Sequence, residues 1–219
     1  MKKINWQYAL GEILIVIIGI SIAFSMNKCA ENTKNNKLKQ QYLTSIKNDL
    51  EIDKASLENN LEELDGKIGT LQKVLPLFNA NDPKKKKGIR QIFGIMQLTD
   101  FNPKDITYQS MINSGDFSLI EDFQLKTAIE THYSDYKTIL KDYERQEIIH
   151  KEYVGDYFIH NMDFDAMQKG GLGFEDEKLL KNILQSMRGS FMFKKQASER
   201  GIKSCDSLIN LISTKLTTP

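Results

Sequence analysis

The sequence predicts an all-α fold: an N-terminal transmembrane helix that continues into a long stalk helix and then an antiparallel helical bundle. Three observations carry this. From Ile13 to Met26 no residue is charged and Ile, Leu, Val and Phe dominate. Beyond it, apolar residues recur three and four apart in several long segments, the period of a helix with one buried face. No segment shows the alternating apolar and polar pattern of a half-buried strand.

The charge-free run is short for a span. At about 1.5 Å per residue it covers roughly 21 Å of a hydrocarbon core of about 30 Å, so Ala9, Leu10, Gly11 and Glu12 must join it. Glu12 then lies near one interface, and Trp6 and Tyr8 sit just outside, where amphipathic aromatic rings favour the headgroup level. A cleaved signal peptide is the main competing reading: Lys2 and Lys3 make a basic start, and Ala23 or Ser25 could precede a cleavage site. Glu12 inside the apolar region and the unbroken helical sequence past Met26 argue for retention. Gly19 and Ala23, one turn apart, form a small-residue face that permits close helix approach in lipid. The reading is a tail at 1–8, a span at 9–26, a polar stalk at 27–42 and a bundle at 43–219.

A resemblance enters at these residues. The run Tyr8-Ala9-Leu10-Gly11-Glu12-Ile13-Leu14, followed by Val16, Ile18-Gly19-Ile20 and Ile22-Ala23, resembles the N-terminal signature of a Bacteroidota family of single-span membrane proteins, a domain of unknown function. Residues 107–133, TYQSMINSGDFSLIEDFQLKTAIETHY, are similar to that family's middle segment. The resemblance implies a membrane anchor and no particular chemistry. Members carry an Asn and Trp cluster just after the span, where this chain has Asn27-Lys28-Cys29.

After the polar stalk the apolar residues fall into register at Leu43, Ile46, Leu50, Leu57, Leu61, Leu64, Ile68, Leu71 and Leu75, with Asp53 as an interruption. This seam faces the bundle core or an identical stalk. Pro76 ends or kinks the helix by removing a backbone donor. The stretch NANDPKKKKG reads as a loop, with short helices following over 89–98 and 106–112. Asn113 to Asp116 reads as a stop, and Ser118 with Glu121 as a capping box for a long helix that carries its apolar face through Ile149, Tyr153 and Tyr157 to about Met162. The run KGGLG closes a second loop, and two more helices follow over 177–187 and 191–216.

With 219 residues, 30 Lys plus Arg against 29 Asp plus Glu and a net charge of +1, the chain has one domain beyond the span and no charge excess that would point to nucleic acid. Its two cysteines, Cys29 and Cys205, make no disulfide framework. The sharpest chemical hint is Glu147-Ile148-Ile149-His150, a Glu-x-x-His spacing like that of di-iron bundles. It stands alone, with His160 ten residues on and His132 on the apolar face, and a di-iron site needs a second such motif and two further carboxylates. No complete catalytic motif is present, and no cofactor is expected. Lys84 to Lys87 read as a solvated basic loop, and Gly170, Gly171 and Gly173 as a helix connection.

The sequence therefore points to a single-pass inner-membrane protein whose bundle acts as an interaction or structural module. Its expected partners are the bilayer and a second copy or another protein, met through the span and the 43–75 seam. A metal-binding bundle enzyme using Glu147, His150 and His160 is the alternative. Lys2 and Lys3 before the span, against Lys28, Lys34, Lys37 and Lys39 after it, favour a cytoplasmic bundle by charge counting. The longer basic N-termini of the resembling family favour the periplasmic side, which is the side expected here.

Overall fold

The computed structural model describes residues 6–79 and 85–217, with side chains from residue 10 onward. Helix α1, Trp6–Val74, is one unbroken helix of 69 residues, close to 100 Å long. It ends where Pro76 forbids another turn, in the 3-10 turn Leu75–Asn79. Helix α2, Lys85–Arg90, and the 3-10 turn Gln91–Ile95 follow. Residues 96–105 then run without regular secondary structure to α3, Ile106–Ser114. Gly115 stops α3 with φ of 80°, a left-handed conformation open to glycine, and a 3-10 turn, Asp116–Leu119, leads to α4, Phe123–Ile149. A π-helical turn, His150–Val154, joins α4 to α5, Gly155–His160. After α6, Phe164–Gln168, the chain turns back through a single bridge between Met162 and Phe174 and enters α7, Glu177–Thr217.

Helices α1 and α4 run away from the N-terminal end, and α3 and α7 return. Cross-links record the antiparallel register of α1 on α7: Lys54 with Asp206, Lys195 with Asp65, and Lys181 with Asn79. At the N-terminal end of the bundle Lys215 pairs with Asp122, so α7 finishes beside the start of α4. Gly201 of α7 allows the closest approach, since a Cβ there would meet Leu57 at 2.7 Å and Ile139 at 3.2 Å. The core has two parts. One joins Leu43, Ile46, Leu50 and Leu57 to α4 and the end of α7; the other joins Leu64, Leu71 and Val74 to Leu184, Met187, Phe191 and Tyr157.

Several expectations are corrected. Leu61 and Ile68 are only partly buried, while Asn60 and Lys67, one position earlier, are buried with Asp53. The lysines Lys85 to Lys87 are helical, in α2, and Lys84 lies outside the described residues. Asp122, which accepts the Leu125 N–H at 2.9 Å, caps α4, so Ser118 and Glu121 form no box there. The π turn adds a residue to its helical turn and shifts the buried face, leaving Tyr153 exposed and Val154 buried in its place. The two C-terminal helices are one, because Gly189 has open space around it and Ser190 returns a hydrogen bond to the Met187 carbonyl within the helix.

Candidate functional site: an unpacked apolar helix end and a buried polar ladder

The N-terminal end of α1 carries the predicted span. From Glu12 to Lys34 every residue is exposed, including Ile15, Ile20, Phe24 and Met26, and no apolar side chain of this length is covered by other described residues. Glu12, Gly19 and Ala23 lie on it, and a Cβ at Gly19 would meet nothing within 4 Å. The side chains of Trp6 and Tyr8 lie outside the described residues. This helix is long and apolar enough to cross a membrane, with none of its apolar window buried.

The second feature begins at Leu43. Positions 43, 50, 57, 64 and 71 are all leucine and all buried, the first of two positions in a seven-residue repeat. The second position reads Ile46, Asp53, Asn60, Lys67 and Val74, also all buried. Its three central members are polar because they face the backbone of segment 96–105. Asp53 accepts the Lys104 N–H at 2.9 and 3.1 Å, Asn60 donates to the Asp100 carbonyl at 2.9 Å, and Lys67 donates to the Gln97 carbonyl at 2.5 Å. Seven helical residues rise about 10.5 Å, and three or four non-helical residues can span about 10 to 13 Å, so the two repeats keep step as they run in opposite directions. Each rung gives a peptide group of this segment a side-chain partner from α1.

The other long helices complete the clasp. Gln146 of α4, fully buried, donates to the Gln97 carbonyl at 3.1 Å and receives Lys194 at 2.7 Å. Lys194 of α7, also fully buried, donates to the Thr99 carbonyl at 2.5 Å and lies over the Tyr143 ring. Burial pulls its ammonium down to about 8, with Lys67 adding to the effect. Lys67 reaches the Thr99 hydroxyl at 2.7 Å and Glu63 at 2.6 Å. Burial acts to raise the Glu63 carboxyl, but hydrogen bonds from Lys67 and Thr99 outweigh it and hold the group below its ordinary value. Further down, Tyr136 donates to Asp53 at 2.7 Å and touches the Cys205 thiol, which burial pushes up to about 11. That thiol is inert, and Cys29, exposed and some 36 Å along α1 from Asp53, is far from it. Both cysteines are free.

The residues singled out for metal are not brought together. Glu147 is exposed, His150 is half-buried against the Gln146 amide, and His160 sits in solvent beside Asp156 at 3.6 Å. Burial and the nearby Lys194 and Lys67 lower the His150 imidazole, as suits a histidine next to two cations. Among the described residues no group of three His, Cys, Asp or Glu could hold a metal ion. His132 is a core histidine bonded to Ser204 at 2.7 Å, and burial lowers it to about 4. The glycines after α6 close a turn: the Gly171 N–H donates to the Ala166 carbonyl, and a Cβ at Gly173 would strike Met167.

Residues 12–153 match the model of a family of unknown function (DUF6090). The chain belongs to that family. No curated protein and no solved structure matches it. The DUF6090 match begins at Glu12 inside the apolar run and ends in the π turn after α4. It thus takes in most of the predicted span, the ladder of α1, the segment 96–105 and Gln146, and leaves out α7, which supplies Lys194 and Gly201. Sequence reading missed the ladder because Asp53 looks like a break in an apolar seam, and Asn60 and Lys67 stand next to Leu61 and Ile68, which fit the seam's spacing. The signal that finds them is their seven-residue spacing on the same helix as five leucines seven apart.

Proposed function

We propose that this DUF6090 chain is a single-pass anchor of the inner membrane that holds a helical interaction or structural module at a fixed position above the bilayer. The observation that carries this reading is the complete exposure of the apolar residues from Leu10 to Met26, on a helix continuous with the bundle core. In water so much contiguous apolar surface is costly, and lipid removes the cost. The resemblance of residues 8–14 to Bacteroidota single-span proteins supports the same placement. The ladder supports a structural role, since its polar groups are satisfied within the chain and none is presented to a substrate.

The bundle is assigned to the periplasmic side, on the longer basic N-termini of the resembling proteins and against the lysines that follow the span. A second copy or another protein meets it through the Gly19 and Ala23 face or the exposed flank of residues 43–75. Intact mass and alkaline extraction test the anchor: the mature chain keeps residues 1–26 and stays with the membrane pellet. A chain that starts after Ala23 or Ser25 would show a cleaved signal instead. A thiol introduced at Lys86, labelled by an impermeant maleimide in cells with a permeabilised outer membrane, tests the side. Protection there until the inner membrane is opened would place the bundle in the cytoplasm.

A further inference from the structure

A continuous helix is a ruler, and α1 has no break between the span and the bundle. The first element to pack beside it is the turn between α3 and α4: Ser118, Leu119 and Glu121 share a shallow cleft with Asn32, Asn35 and Lys39. Asn32 is six residues past Met26, about 9 Å at 1.5 Å per residue. The headgroup layer on one side of a bilayer is roughly 5 to 8 Å thick, the difference between the whole membrane and its hydrocarbon core. The lowest turn of the bundle therefore lies at the outer edge of the headgroups. A tilt of about 20°, usual for single spans, brings one side of the base closer still.

The chemistry of this end fits that neighbour. Lys28, Lys34 and Lys37 are exposed on α1 and Lys39 is partly so, with Glu31 the one acid among them. By the same ruler Lys28 lies inside the headgroup layer, and Lys34 and Lys37 lie within about one Debye length of it. The turn carries acids of its own, since Asp116 accepts from Tyr42 and Ser114, which hold it ionised, and Glu121 is exposed, while Asp122 just beyond pairs with Lys215; the four lysines of α1 still outnumber Glu31, Asp116 and Glu121. Phe123 opens α4 at 82% exposure, and side chains in a helix tilt toward its N-terminus, here the membrane end.

We infer that the base of the bundle, formed by the 115–121 turn and the lysines of α1 beside and below it, is a contact surface for anionic lipid headgroups. It rests on the proposed span and goes beyond it. The span alone would let the bundle swing on its helix, whereas a seated base fixes its height and tilt.

The test uses the full chain with Cys29→Ser, reconstituted in vesicles of mixed phosphatidylcholine and phosphatidylglycerol. A fluorophore is placed at Ser118→Cys or, in a separate protein, at Lys169→Cys near the far end of the bundle. Lipids carrying a quencher on the headgroup should dim the Ser118 reporter strongly and leave the Lys169 reporter unchanged. Vesicles of phosphatidylcholine alone, or Lys34→Gln with Lys37→Gln, should weaken that dimming. Equal behaviour of the two reporters in protein that floats with the vesicles would overturn the seated base and leave the span intact. Dimming at Ser118 that needs a second labelled copy and no quencher lipid would assign the surface to self-association and overturn it too. Protein that fails to float would remove the span, and this inference with it.

Discussion

Between Leu10 and Met26 helix α1 exposes every apolar side chain it has, and between Leu43 and Val74 it buries three polar ones. The two stretches of one helix thus invert the usual rule in opposite directions, and each inversion demands a partner. Buried polar groups require hydrogen bonds. Here the partner is in the chain, since residues 97–104 bring backbone groups to Asp53, Asn60 and Lys67. Contiguous exposed apolar groups are costly in water, and no described residue of the chain covers them. One stretch is complete in itself, and the other is left open to the lipid that the proposed anchor would give it.

The sharpest way to break this comparison is to cut the same size of side chain from both stretches. Leu57 is fully buried against Gly201 and Ile139, so Leu57→Ala should cost about 2 to 5 kcal/mol of unfolding free energy. Ile17→Ala should change the unfolding of the detergent-solubilised chain by less than about 0.5 kcal/mol, because Ile17 touches no other element. Urea denaturation in mild detergent compares them. Similar losses from both would mean that the apolar end packs on protein.

Lys194 sharpens the polar side of the comparison through pH. Its folded-state value is lowered to about 8, from an ordinary 10.5, by burial. The unfolded chain therefore binds more protons between those values, and the native state gains stability as pH rises through that window. The gain is complete above about 10.5 and is lost as pH falls through 8, with a full span on the order of 3 kcal/mol. Lys194→Met removes the titration and leaves the Thr99 carbonyl and Gln146 Oε1 without this donor. At pH 7 the two losses and the relieved charge should nearly cancel. By pH 9.5 the wild type should have gained about 2 kcal/mol on the variant, read as the difference between their unfolding curves. A difference that does not move with pH would mean that water reaches Lys194.

What the sequence made legible follows from which contacts are local. The all-α class, the length of α1 up to Pro76, the stop at Gly115 and the buried leucines each depend on spacing along one helix. The ladder depends on a segment 30 to 51 residues away in sequence, so Asp53 reads as an interruption, and Asn60 and Lys67 are passed over for their apolar neighbours. Choosing Leu61 and Ile68 instead is a slip of one residue, about 100° around the helix, which apolar periodicity tolerates because both flank the buried stripe and are half-covered. The π turn has the same character: nothing local in residues 150–154 announces the extra residue that exposes Tyr153. Glu147, His150 and His160 show the converse, a suggestive spacing that tertiary structure does not assemble.

Gly201→Ala tests how closely the polar ladder depends on the packing around it. The added methyl meets Leu57 at 2.7 Å, and α1 must shift or Leu57 must leave its rotamer. The expected loss is about 1 to 3 kcal/mol. Gly69→Ala, on the same stretch of α1 with open space around it, should instead stabilise by up to about 1 kcal/mol by restricting the unfolded chain. Thermal unfolding of the pair separates a close approach from a glycine that contacts nothing. If both substitutions stabilise, α7 and α1 are further apart at Leu57 than the fold requires.

The smallest expected effect lies at the base, where the bundle meets the stalk. Asp122 caps α4 by accepting the Leu125 N–H and also holds Lys215 at the end of α7. The Lys215 hydrogen bond and then the Leu125 amide keep its carboxyl below the ordinary range. Asp122→Ala removes cap and ion pair together and should cost about 1 kcal/mol, the usual worth of an N-cap. Asp122→Asn keeps an oxygen for the Leu125 amide and removes the charge. It should recover most of the loss, the remainder being the few tenths to 1 kcal/mol of an exposed pair. Glu121→Ala and Ser118→Ala should each change stability by less than about 0.5 kcal/mol, because Ser118 bonds only the Gly115 carbonyl and Glu121 caps nothing. If Glu121→Ala costs as much as Asp122→Ala, then α4 starts one turn earlier than Phe123. The 115–121 turn would then be α-helical, and the proposed lipid-contacting base would lose the shape on which that proposal rests.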